Sequence, residues 1–103
     1  MDLFTVENLQ ERNYKLLGVV TGCTIQTKNL FSDFGQGLKN MVGGELKAYT
    51  RMMDKARTDA VQRMVGQAKD MGADAIIGMR FSTSAIMTQA AEVLVYGTAI
   101  KYM

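Results

Sequence analysis

A chain of 103 residues supports one domain, here residues 1–103, with a single core. Twelve basic residues against ten acidic ones leave a net charge of +2, too weak a field for a dedicated nucleic-acid or anionic-membrane binder. Histidine is absent, which excludes Ser-His-Asp triads, histidine zinc sites and histidine proton relays. Chemistry would have to run on carboxylates, lysines, tyrosines, hydroxyls or one thiol.

That thiol, Cys23, is the sole cysteine, so no internal disulfide can form, and a lone thiol suits a reducing compartment. The start, Met1-Asp2-Leu3-Phe4-Thr5-Val6-Glu7, lacks the basic and apolar regions of a signal peptide. No apolar stretch approaches the ~20 residues that cross a bilayer. A cytoplasmic location is the expectation.

The run YKLLGVVTGCTIQT from Tyr14 to Thr27 is rich in apolar and β-branched residues and reads as a strand. Leu3 to Val6 gives a weaker strand signal. Gly18 and Gly22 are four apart, so they share a strand face and leave room for a close neighbour or mark a bulge. Asn29 to Gly44 mixes turn residues with amphipathic pieces, and Ser32 is placed to cap a short helix carrying Phe34, Leu38, Met41 and Val42.

The strongest pattern spans Glu45 to Met71. Leu46, Tyr49, Met53, Ala56, Ala60, Met64, Ala68 and Met71 recur at steps of three or four, one continuous helical stripe. Lys55–Asp59 and Asp59–Arg63 stand at i,i+4 on the far side. Gly72 sits where a helix takes a left-handed stop. Two strands then follow, about Ala75–Ile86 and Glu92–Met103, joined near Met87–Ala90 as an antiparallel hairpin.

The fold these elements predict is α+β: strand, short helix, long helix, strand, strand, with an antiparallel sheet packed on the long helix. Between Ala75 and Met103 the only charges are Arg80, Glu92 and Lys101. Ile77, Met79 and Phe81 are expected on one strand face. Val93 and Val95 oppose Leu94, Tyr96 and Ile100 on the last strand. One amphipathic helix covers one face of a small sheet, so the other is expected to be buried against identical subunits.

Each candidate site competes with a structural role. Gly35-Gln36-Gly37 and Gly43-Gly44 match neither a P-loop nor a dinucleotide fingerprint and read as tight turns. Cys23 reads as a small buried hydrophobe that reacts slowly, and the methionines read as core filling. Arg80, alternating with Ser82 and Ser84, is expected to pair across an interface, with Glu92 as one partner, or to face a polar pocket. Asp33, Tyr49 and Arg57 form a candidate polar cluster at the start of the long helix, although no spacing fixes an acid–base pair or nucleophile.

Gly18-Val19-Val20-Thr21-Gly22, Asn29-Leu30-Phe31 with Asp33 and Gly37, and Val42-Gly43-Gly44 before Tyr49 form an ordered series. It continues through Ala56-Arg57, Gly72-Ala73-Asp74-Ala75 with Gly78, and Gly97-Thr98-Ala99. In this order and spacing the chain resembles the YbjQ-like family of small bacterial proteins, which carries a heavy-metal-binding label and no established activity. The resemblance covers almost everything from Leu16 onward and implies a homopentameric ring of α+β subunits. It also implies acidic residues at positions 80, 82 and 84 and a glutamate at 23, where this chain has Arg80, Ser82, Ser84 and Cys23. Carboxylates bind hard cations and an arginine repels them, which leaves Cys23 as the soft-metal candidate.

The expected function is therefore a non-enzymatic homo-oligomer, a pentamer by the resemblance, that binds a metal or small ligand. Asp33, Tyr49, Arg57 and Arg80 are its candidate ligand-binding residues and Cys23 its candidate metal ligand. An enzyme with a site between subunits, built on the same polar residues, is the alternative from another class. A weak nucleic-acid binder using basic residues of the long helix is a third.

Overall fold

The computed structural model describes residues 1–26, 44–87 and 90–103, with side chains for all of these except 26, 44–49, 85–87, 90 and 91. The expected Ser32 helix, the turns at Gly35 and Gly43, and Asp33 lie outside the described residues. So does the side chain of Tyr49.

Strand β1 is Asp2–Leu3, β2 is Tyr14–Gln26, helix α1 is Gly44–Asp70, β3 is Ala75–Met87 and β4 is Ala90–Tyr102. The sheet order is β1-β3-β4-β2. The β3–β4 hairpin is antiparallel, and β2 returns antiparallel on the other side of β4. Strand β1 runs parallel to β3, Asp2 beside Ala75 and Leu3 beside Ile76. The sheet is therefore mixed, where the sequence pattern suggested an antiparallel one.

The helical stripe is buried as its spacing requires. Ala56, Ala60, Met64 and Ala68 pack on Val20, Ile76, Val93, Val95 and Ala99, with Met53 partly buried beside them. Small residues at three of these helical positions bring α1 close to the sheet. Gly22 completes the approach, because a Cβ there would lie 1.9 Å from the Ala60 carbonyl oxygen and 2.7 Å from the Met64 nitrogen. The buried Thr24 hydroxyl donates to the Ala56 carbonyl at 3.2 Å. Met71 ends the stripe at the surface.

The helix stops as the sequence indicates. Gly72 adopts φ +80°, its N–H donates to Lys69 O at 3.0 Å, and Ala73 N–H donates to Ala68 O at 3.0 Å. These two bonds form a Schellman motif that satisfies terminal carbonyls.

Strand β3 departs from simple alternation. Gly78 has φ +63°, and the register with β4 shifts between Ile77, opposite Thr98, and Arg80, opposite Tyr96. This bulge reverses the faces. Ile77 joins Ala75 and Ile100 in a second small core away from the helix, whereas Met79 packs into the main core. Ile77 and Met79 thus occupy opposite faces, contrary to strict alternation. Ile100 and Tyr96 do lie across the sheet from Val93 and Val95, as the pattern predicted.

Candidate functional site

One face of the sheet meets α1; the other is open. Gly22 and Val20 point at the helix, so Val19, Thr21, Cys23 and Ile25 of β2 point away from it. The register carries Arg80, Ser82 and Ser84 of β3 and Glu92, Leu94 and Tyr96 of β4 onto the same open face. Leu16, Val19 and Ile25 are 64%, 71% and 54% exposed there, and Tyr96 is 40% exposed.

The N-terminal segment straps one end of this face. Phe4 and Leu9, like Tyr14 and Tyr102, pack on Ala75, Ile77 and Ile100. Phe4 N–H donates to Ile76 O at 2.8 Å, Gly78 N–H to Val6 O at 2.7 Å and Met79 N–H to Phe4 O at 3.0 Å. Arg80 fastens the strap by donating to Thr5 O at 2.6 Å and Met79 O at 2.9 Å, with Glu7 4.0 Å away. Within one chain Arg80 does not meet Glu92, which lies opposite Ser84. Its lone charge among apolar neighbours has an intrachain structural use.

Beside the strap lies a cavity of about 470 Å³ between Glu7, Leu16, Val19, Ile77, Tyr96 and Thr98. A second, of about 520 Å³, lies under the strap itself near Asp2, Phe4, Leu9, Arg12 and Tyr102. Here the Tyr102 hydroxyl donates to Asp2 at 2.8 Å, and the Arg12 guanidinium stacks 3.5 Å from the centre of the Tyr102 ring. The bond to Asp2 is the main influence that raises the Tyr102 phenol above its ordinary pKa, with desolvation next.

Cys23 lies half-buried on the open face, in contrast to the buried position expected of it. Partial burial chiefly raises its thiol pKa; a hydrogen bond and charge from Glu92 add to this, and Arg63 opposes it. An activated thiolate needs the reverse environment. Among the described residues no three or more His, Cys, Asp or Glu side chains are grouped to hold a metal ion. Cys23 and Glu92 alone supply two donors where a closed soft-metal site takes about four. One protomer's described residues do not fit a complete metal centre.

Arg57 lies elsewhere, exposed on α1 and paired with Asp54. It lines a groove of about 390 Å³ with Val61 and Phe81 on the helix side of β3. The structure therefore sets Arg57, on the helix, apart from Arg80 and Cys23, which share the open sheet face. Sequence reasoning missed Glu92 as the neighbour of Cys23, which becomes visible only once β2 is known to pair with β4.

The family model YbjQ_1, described as "Putative heavy-metal-binding", matches residues 1–103. The chain belongs to the YbjQ-like family. A UPF0145 protein of Clostridium novyi is 52% identical over 103 residues, covering 100% of both chains. Another, from Alkaliphilus metalliredigens, is 47% identical over 103 residues with the same full coverage. A third, from Methanoculleus marisnigri, is 53% identical over 87 residues, covering 84% of this chain and 81% of its own.

Among solved structures, a protein of unknown function from Pediococcus pentosaceus matches with TM-score 0.70 and 20% identity. That match covers 100% of this chain and 98% of the other, and it supports the shared fold. No helix among the described residues is long and apolar enough to cross a membrane.

Proposed function

We propose that this YbjQ-like protein is a self-associating binding protein whose open sheet face is buried between copies in a five-membered ring. The observation that carries this reading is the row Leu16, Val19 and Ile25 on β2, each more than half exposed beside Tyr96. Burying each such side chain contributes about 1–2 kcal/mol. A cyclic arrangement of identical subunits supplies that burial without a second gene product.

The ligand site in this reading lies where copies meet on that face. It combines the cavity beside the strap with the Cys23–Glu92 pair. Where the ligand is a soft cation, adjoining copies supply the donors that one copy lacks. A thiol kept protonated is a poor nucleophile, and a metal bound there would have to displace its proton, so binding would respond to pH.

Val19→Glu tests the reading by placing a carboxylate in the proposed contact. Sedimentation should show a multi-subunit wild type and a monomeric variant with unchanged far-ultraviolet circular dichroism. A wild type that is monomeric at micromolar concentration excludes it.

A further inference from the structure

The strap arches over one end of the sheet and is fixed at both feet. At the first foot, Phe4 N–H and Val6 O bond to β3. At the second, Met103 N–H donates to Asn13 O at 3.1 Å, and between the two the Tyr14 hydroxyl donates to Asn8 Oδ1. The cavity of about 520 Å³ under this arch therefore has walls that are set before anything enters it.

Three kinds of side chain line the cavity. Phe4, Val6 and Leu9 are apolar, Asp2 and Glu11 are carboxylates, and Arg12 is a guanidinium. Arg12 lies 3.5 Å from the centre of the Tyr102 ring. That ring is itself anchored, because Tyr102 donates its N–H to Asp74 at 2.8 Å and its hydroxyl to Asp2 at 2.8 Å. Stacking uses the flat face of a guanidinium and leaves its N–H donors in the plane, where a carboxylate can take two at once. The raised pKa of Tyr102 keeps the phenol neutral, so no phenolate competes for the arginine.

The charges select the ligand. Two carboxylates beside one guanidinium repel a polyanion such as a phosphate, and the guanidinium repels a metal cation. A molecule with one carboxylate and one ammonium group matches both signs. The apolar wall then takes a hydrocarbon group of the same molecule.

We propose that this cavity binds a free α-amino acid with a large apolar side chain. The carboxylate of the ligand pairs with Arg12, its ammonium group with Asp2 and Glu11, and its side chain packs on Phe4, Val6 and Leu9. The site is built within one chain and does not depend on the contact between copies.

Isothermal titration calorimetry of the full chain with L-phenylalanine should show a single site per chain. L-Phenylalaninamide lacks the carboxylate and 3-phenylpropanoate lacks the ammonium group; each should bind about tenfold more weakly or worse. Arg12→Gln and Glu11→Gln should weaken L-phenylalanine binding by a similar factor. Both residues are exposed, so circular dichroism should not change; should one variant fail to fold, the other decides. Val19→Glu should leave the affinity unchanged, which separates this site from the assembly reading. No heat at about 1 mM L-phenylalanine, equal binding of the amide, tighter binding of inorganic phosphate, or wild-type affinity in the folded Arg12 and Glu11 variants overturns the proposal.

Discussion

At Gly22 a single hydrogen separates β2 from the backbone of α1. A methyl group there would meet the Ala60 carbonyl at 1.9 Å, and backbone, unlike a side-chain tip, cannot rotate aside. Gly22→Ala should cost about 3 kcal/mol or more, seen as a fall in the urea midpoint at unchanged slope. Cys23 presents a different constraint on the opposite face. Its thiol is raised first by desolvation and then by Glu92, so the folded state favours the protonated form. Any stability linked to this is present below the ordinary thiol range and lost as pH rises through the raised value. Alkylation at pH 8 should be slower in the native protein than in the denatured chain, and Glu92→Gln should accelerate it. Equal native and denatured rates would contradict that assignment.

Among the elements, α1 and the hairpin were legible because their information is local. The stripe through Ala56, Ala60, Met64 and Ala68 states one buried face, and the structure buries all four. Met64→Ala should accordingly cost about 2–5 kcal/mol. Gly72, with φ +80°, was readable from its place after the stripe. Gly72→Ala should cost about 1 kcal/mol, measured by the same denaturation series.

Other features depend on tertiary placement that local pattern does not encode. The two residues of β1 are too few to display a period, and their parallel pairing follows from where the strap lands. The Gly78 bulge reverses Ile77 against Met79, although a glycine in a strand run does not reveal its own φ. The i,i+4 spacing set Arg63 with Asp59 on the far side of the helix; Arg63 instead serves the β2 edge, as does Gln67, because α1 lies over that strand. Of the candidate site, Cys23 was legible by type, but its half-exposure and its Glu92 neighbour required the register.

For the whole molecule, the central issue is a four-stranded sheet with one helix. The helix covers β2 and β4 on one side, and the strap covers part of the other. What remains, from Leu16 through Val19 to Ile25 with Tyr96, is a continuous half-exposed surface. The positions where the family resemblance implies carboxylates, 80, 82 and 84, share this face with Cys23 and Glu92. In the proposed reading, assembly and ligand binding draw on the same surface. Native mass spectrometry on protein purified without chelator tests that account most directly, because one spectrum reports subunit number and any mass retained. The account predicts a multi-subunit species that Val19→Glu dissociates. A single species at the 11.4 kDa of one chain would contradict it.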